Sequence, residues 1–249
     1  MIDKDKVKNS FRKNLKTYDK NALVQREMAQ TLIRLLPEKK YGKVFEIGMG
    51  TGFLTREIIL KLQYDSMDAN DIVQDCQFVL RNLTNKANFL CGDIETLDIQ
   101  GKYDLVVSNA VLQWCSDFEQ IVLKLYDILN EGGVFAFTSF GENNFKEIKD
   151  VFGTGLRYVD YSSLTSILGK YFEIEYSKSE ERELFFPSFK EILSHIKKTG
   201  VNAVSKDVLK VSELKHFEKD YIKKYSTSKG LSLTYHPVYF VLKKLRQTP

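Results

Sequence analysis

Apolar and polar positions follow two different rhythms along this chain. Over the first 36 residues Leu23, Met28, Leu32, Leu35 and Leu36 form one helical stripe, and Pro37 closes the segment. From Lys43 the rhythm changes to short apolar runs separated by helical stretches. Residues 44–47, 64–68, 87–91, 103–108 and 134–139 read as strands, while 117–129 places Ile121, Val122, Leu125, Ile128 and Leu129 on one helix face. After Phe140 the alternation weakens: 171–175 reads as a strand that could run on toward Phe186, 188–198 and 211–224 as helices, and 231–242 as a last strand. Strands alternating with helices predict an α/β fold, a doubly wound, mostly parallel sheet of seven strands. The expected layout is a single domain over 1–249, with an N-terminal helical arm (1–36), a ligand-binding core (40–140) and a helical cap inserted at 187–230, before the last strand.

Composition narrows this reading. A chain of 249 residues that is 43% hydrophobic and 28% charged can bury a large core. No stretch approaches the roughly 20 apolar residues of a membrane span, and the N-terminus lacks the apolar core of a secretion signal. Cys76, Cys91 and Cys115 show no C-x-x-C spacing, which argues against a disulfide framework or a zinc site and fits a reducing cytoplasm. The expectation is a cytoplasmic monomer with no metal and no nucleic-acid or membrane partner. Net charge is only +4, but residues 1–26 and 189–230 each carry +5, leaving the rest acidic. Solvated helix faces account for lysine runs of this kind; a surface for an acidic partner accounts for them equally well.

The candidate chemistry begins at V-F-E-I-G-M-G-T-G (44–52), which spans a strand end and a helix start. Gly48, Gly50 and Gly52 let the backbone turn tightly and approach a ligand. A glycine-rich loop alone also suits dinucleotide dehydrogenases. Three carboxylates move the reading. Glu46 lies in the strand, where it can meet a cationic amino group. Asp68, with Ala69 after it, ends the predicted second strand and can accept both ribose hydroxyls. Asp93, followed by Ile94, comes after the third strand, near where an adenine amino group would lie. A dinucleotide fold explains Asp68 but not the other two.

The set E-I-G-x-G-x-G, M-D-A (67–69), G-D-I (92–94) and Y-D-L-V-V-S-N (103–109) resembles the class I S-adenosylmethionine (SAM)-dependent methyltransferases. The resemblance implies SAM as cofactor, its methionine part over residues 48–52, ribose on Asp68, adenine beside Asp93, and Asn109 and Ala110 flanking the sulfonium. A narrower resemblance covers nearly the whole chain. F-R-K-N-L-K-T-Y-D (11–19), V-Q-R-E-M-A (24–29), N-A-V-L-Q-W-C-S-D (109–117), H-I-K-K-T-G-V-N-A (195–203) and G-L-S-L-T-Y-H-P-V-Y (230–239) are similar to the malonyl-[acyl-carrier protein] O-methyltransferase family of biotin synthesis. Glu46 and Met49 stand where that family often has Asp and Cys, and Asn130-Glu131 where it has Lys-Pro; these exchanges are chemically mild.

The acceptor implied is a malonyl carboxylate on an acidic carrier protein. Such a group is ionised at neutral pH and needs no general base, and the sequence offers no evident base or nucleophile triad. Catalysis then rests on proximity and orientation, with Tyr18, Gln113 and Trp114 as positioning candidates. Tyr18 and Trp114 could equally be packed aromatics. Lys146, Arg157 and Arg182 are candidate cations for the carboxylate, and Tyr235 a further pocket candidate, whereas His195 and His236 read as structural. Lys197, Lys198, Lys206 and Lys210 are candidates to dock the carrier protein. Rival readings are a methyltransferase for another small acid, quinone or metabolite, a pyridine-nucleotide oxidoreductase, and a SAM-binding subunit without catalysis.

Overall fold

The computed structural model describes residues 3–153, 156, 158–199 and 211–245. The Asp3 carboxylate accepts the Lys6 N–H and starts α1 (Lys4–Asn21), satisfying a donor that a helix start leaves free. Ala22 breaks the arm into two helices, and α2 (Leu23–Arg34) buries Val24, Gln25, Met28, Ala29, Leu32 and Ile33. The core follows as β1 (Lys40–Ile47), α3 (Phe53–Lys61), β2 (Gln63–Asp71), α4 (Cys76–Leu83), β3 (Ala87–Cys91) and β4 (Tyr103–Asn109). A short 3-10 turn (Leu112–Trp114), α5 (Phe118–Ile128) and β5 (Leu129–Phe140) come next. Then run α6 (Lys146–Phe152), α7 (Tyr161–Gly169), β6 (Phe172–Ser179), β7 (Arg182–Phe186), α8 (Phe189–Lys198), α9 (Val211–Tyr225), β8 (Ser226–Thr227), β9 (Gly230–Tyr235) and β10 (Pro237–Lys244).

Seven strands form the expected doubly wound sheet in the order β3-β2-β1-β4-β5-β10-β6, with β10 antiparallel to both its neighbours. The chain winds outward from β1 through β2 to β3, then returns to place β4 on the other side of β1. That reversal opens a crevice at the carboxyl ends of β1 and β4, where ligands bind in sheets of this kind. One face of the sheet carries a core of Ala29, Leu32, Val44, Leu54, Met67 and Leu105; the other carries Phe45, Val106, Leu125, Phe135, Phe137 and Phe240.

Three expectations about elements change. The apolar run 231–242 is two strands in two sheets: β9 pairs with β7 and β8 in a separate three-stranded sheet, and β10 joins the main one. His236 makes the corner. Its Nδ1 accepts from the Asn143 N–H at 3.1 Å, its Nε2 lies 2.6 Å from the Ser179 hydroxyl, and its backbone N–H donates to Asn144 Oδ1 at 3.1 Å. The stretch from Tyr171 to Phe186 likewise splits into β6 and β7, so the insertion contains a sheet beside its helices. Finally, β2 runs past Asp68 to Asp71. Strands disfavour acids, but Asp68 is tied down inside the sheet by Lys43, Asn88 and Tyr103 at 2.8–2.9 Å.

Candidate active site

Four loops at the carboxyl ends of β1, β2, β3 and β4, roofed by α1, line a cleft of about 1000 Å³, its open mouth included. Gly48 and Gly50 form its floor with Met49 and Thr51; Asn70, Asp71, Gly92, Asp93 and Ile94 line one side; Asn109, Ala110 and Trp114 line the other. The roof consists of Lys4, Phe11, Leu15 and Tyr18 from the arm.

The glycine loop is shaped from both sides. Gly48 has φ +67°, and a Cβ there would meet Val111 Cγ2 at 2.3 Å. Gly50 has φ +52° with open space where its Cβ would be, so its backbone faces a ligand directly. The Gly50 N–H donates to Asp71 Oδ2 and the Val73 N–H to Asp71 Oδ1, each at 2.8 Å, which ties the loop to the end of β2. Burial raises the Asp71 carboxyl, and these N–H groups hold it down in part. At the far wall Ala110 has φ +56°, unusual for a residue with a Cβ, and such strain collects at functional sites. Its N–H donates to the Thr138 carbonyl at 3.0 Å. Thr138 Oγ1 donates to Asn109 Oδ1 at 2.7 Å, and Asn109 Nδ2 donates to the Gln25 carbonyl at 3.0 Å. Gln113 does not line the cavity; it braces this turn by donating to the Ala110 carbonyl at 2.7 Å and accepting from the Ser139 hydroxyl at 3.2 Å.

The structure therefore brings together Tyr18, Gly48, Gly50, Asp93, Ile94, Asn109, Ala110 and Trp114. Gly52 caps α3 behind the loop at φ +83°. Asp68 and Ala69 are corrected. Ala69 is core, and Asp68 carries a structural network in which Lys43, Asn88 and Tyr103 outweigh burial and hold its carboxyl below the usual range. Asp71, three residues on, is the acid at the end of β2 that lines the cavity. Asn70, Thr51, Phe11 and Lys4 were also missed.

Of the predicted carboxylate-binding cations, Lys146 and Arg182 do not line the cavity. Lys146 pairs with Glu181 at 2.6 Å, and Arg182 pairs with Glu27 at 2.6 Å and with Glu180. Arg157, Lys206 and Lys210 lie outside the described residues. Tyr235 is buried behind the arm, 2.7 Å from His195 Nε2. Burial, aided by Lys198, lowers that imidazole to about 4, so His195 is neutral at physiological pH.

Glu46 lies next to the glycine loop, outside the cavity lining. Glu46 is fully buried; its Oε2 accepts from the Thr55 hydroxyl at 2.8 Å, and its Oε1 has no partner among the described residues. Thr51 Oγ1, on the glycine loop, is likewise unmatched, whereas Gln25 lies outside the lining beside Tyr235. Buried acceptors beside a glycine loop, an acid at the end of β2 and a second acid after β3 fit a nucleoside carrying an amino-acid ammonium, as SAM does. Fold and site thus define a class I SAM-dependent methyltransferase. A methyltransferase domain family matches residues 45–137. Malonyl-[acyl-carrier protein] O-methyltransferase of Calditerrivibrio nitroreducens is 37% identical over 96% of this chain and 97% of its own. The enzyme of that name from Chlorobium luteolum is 35% identical over 99% and 98%. This chain belongs to the malonyl-[acyl-carrier protein] O-methyltransferase family. The N-methyltransferase NodS of Bradyrhizobium japonicum, solved with S-adenosyl-homocysteine (SAH), shares the fold at a TM-score of 0.60 and 14% identity, over 96% of this chain and 99% of its own.

Contact between the cofactor ammonium and Glu46 is expected to make binding pH-dependent. Burial lifts its carboxyl to about 8, Thr55 works against the rise and Asp71 adds to it. Below that pH the unliganded protein holds Glu46 neutral, and an arriving ammonium favours the ionised form, so binding releases a proton. SAH affinity is expected to rise with pH up to about 8 and then level off. Because the folded-state value is raised, its stabilising contribution is present at low pH and lost as pH climbs through about 8. SAH should therefore raise the melting temperature more at pH 8 than at pH 6. Calorimetry in two buffers of different ionisation enthalpy counts the proton, and Glu46→Gln should flatten the pH profile.

Proposed function

We propose that this protein transfers the methyl group of SAM to the free carboxylate of malonyl-[acyl-carrier protein], giving the methyl ester that enters pimeloyl and biotin synthesis. The observation that carries this reading is the likeness to the curated relatives over nearly the full length of both chains, arm and insertion included. The cavity supports it. When bound, SAM supplies an electrophilic methyl on a sulfonium cation. Glu46 and the 48–52 loop hold the amino-acid end, Asp71 the ribose, and Asp93 and Ile94 the adenine side. Asn109 and Ala110 fix the wall beside which the methyl would lie. Phe11, Leu15, Tyr18 and Trp114 make that end apolar. Transfer from a cation to an anion destroys both charges, so a site poor in water favours it.

The arm and the insertion meet over this site. Asn14 Nδ2 on α1 donates to the Lys197 carbonyl on α8 at 3.1 Å, and Lys197 and Lys198 are exposed at that helix end. Carrier proteins are acidic, and this face supplies positive charge beside the cavity roof. Among the described residues no helix is long and apolar enough to cross a membrane. Reversing the charge of Lys197 and Lys198 to Glu should raise KM for carrier-bound malonyl several-fold and leave a small malonyl thioester unaffected. Equal losses on both substrates would argue against docking there. The assignment itself is tested with methyl-labelled SAM and malonyl-, acetyl- and succinyl-carrier protein. Label is expected on the malonyl form and absent from the acetyl form. A quinone or free small acid labelled instead would replace this reading with the main rival.

A further inference from the structure

Lys4, Val7, Phe11, Leu15 and Tyr18 of α1 all line the cleft. They recur every three or four residues, which makes one stripe of a helix, and at 1.5 Å per residue they cover about 21 Å of it. The stripe runs from Asp93, at the adenine side, to Phe53, which opens α3 after the glycine loop and meets the Tyr18 ring at 5.9 Å. A nucleoside joined to an amino acid would lie under this helix along its whole length. The other face of α1 is bare: Asp5, Lys6, Asn9, Arg12, Lys13 and Thr17 are exposed.

The polar contacts that hold α1 down differ in strength. Arg12 pairs with Asp75 at 2.8 Å, but both side chains are well exposed, and pairs of that kind contribute little. Asn14 Nδ2 donates to the Lys197 carbonyl at 3.1 Å. Lys4 is the better anchor. Its ammonium lies 3.4 Å from Asp93 Oδ2 and also pairs with Glu95, and only 20–26% of these three side chains is exposed. The receiving acids are fixed beforehand. Asp93 Oδ1 accepts the Glu95 N–H at 3.1 Å, Glu95 Oε1 accepts the Ser116 N–H at 2.8 Å, and Lys124 Nζ donates to the Ile94 carbonyl at 2.8 Å. A cation brought to two acids already in place gives up only its own freedom.

At its other end α1 stops at Ala22, whose backbone leaves the helical region (φ −92°, ψ 51°). Beyond that joint α2 is anchored: Val24, Met28, Ala29, Leu32 and Ile33 are buried, and the Gln25 carbonyl accepts from Asn109. A helix with one bare face, on a non-helical joint and pinned at its start by an ion-pair cluster, is built as a hinged lid.

We infer that α1 is a lid over the donor site, hinged at Ala22 and latched by the Lys4 ammonium on Asp93 and Glu95, and that the donor enters and SAH leaves only while this latch is open. The latch uses the acid placed beside the adenine, so closing the lid completes that end of the site. The inference needs the donor site alone and holds for any acceptor.

Lys4→Met keeps the length of the side chain and removes its charge. It weakens the closed lid equally with and without the donor. Both the association and the dissociation rate constants of SAH should therefore rise by about 3- to 10-fold, the scale of a partly buried ion pair, with Kd within about twofold of wild type. Lys4→Arg, which keeps the charge, should retain the wild-type rates. Trp114, the only tryptophan, has Phe11 of the lid edge-on at 5.8 Å, so its emission in stopped flow follows SAH binding. In the free protein Lys4→Met should make that emission more accessible to acrylamide, and Lys4→Arg should not. Faster dissociation with unchanged association would make Lys4 a simple donor contact and overturn the latch. SAH rates, or acrylamide quenching, equal to wild type in Lys4→Met would overturn it as well.

Discussion

Asp71→Ala should weaken SAH binding by roughly 100-fold, while Asp68→Asn leaves it unchanged and lowers thermal stability. Asp71 accepts from the N–H groups of Gly50 and Val73 at 2.8 Å, with the Cys76 thiol and the Ile72 N–H also on its carboxylate, and it lines the cavity where ribose hydroxyls would add to these donors. Its removal forfeits charge-assisted bonds worth about 1.5–3 kcal/mol each and frees the glycine loop as well. Asp68 has its oxygens on Lys43, Asn88 and Tyr103 and does not line the cavity. Amide substitution there weakens a partly buried ion pair inside the sheet and costs stability alone. Calorimetric titration with SAH and a melting curve on each variant separate the two effects. A large loss of SAH affinity in Asp68→Asn with none in Asp71→Ala would reverse the assignment of the ribose acid.

The second large effect is structural. Gly48→Ala should lower the stability of the protein by about 2–4 kcal/mol, from a left-handed backbone that disfavours a Cβ and from overpacking. The clash is specific: the new Cβ would sit 2.3 Å from Val111 Cγ2 and 2.8 Å from Cγ1. Shortening the neighbour relieves the contact but not the backbone cost. The double variant Gly48→Ala/Val111→Ala should therefore recover part of the loss, giving a favourable coupling in a double-mutant cycle. Strict additivity would show that the packing of Val111 against Gly48 is not what requires the glycine. Gly50→Ala is a contrast, because open space lies where its Cβ would go; it should fold better than Gly48→Ala and impair SAH binding instead.

Much of this site was legible in the sequence because its chemistry is local. The glycine loop, Asp93 and the Asn109–Ala110 wall each sit at the end of a short, mainly apolar strand, so position along the chain fixed position in the crevice. Asp68 misled because β2 carries polar residues through its last turn of pairing. An acid inside a strand reads as the strand's end unless its partners are known, and Lys43, Asn88 and Tyr103 are distant in sequence. The second sheet was hidden for a similar reason. Residues 231–242 form one apolar run, and the bonds that turn the chain at His236 come from Asn143, Asn144 and Ser179. Lys146 and Arg182 were plausible anchors until the structure showed them spent on Glu181, Glu180 and Glu27. Pairing between segments far apart in the chain leaves no local periodicity to read.

We propose a methyl donor held at the carboxyl ends of β1, β2, β3 and β4 and an acceptor carboxylate delivered from the arm and insertion side. The most direct measurement is the intact mass of malonyl-carrier protein after incubation with the enzyme and SAM, followed by fragmentation of its prosthetic arm. The prediction is a single methyl group on the terminal carboxylate, with acetyl-carrier protein left unmodified. A methyl group on a side chain of the carrier protein, or no gain of mass while another acid or quinone is methylated, would contradict it.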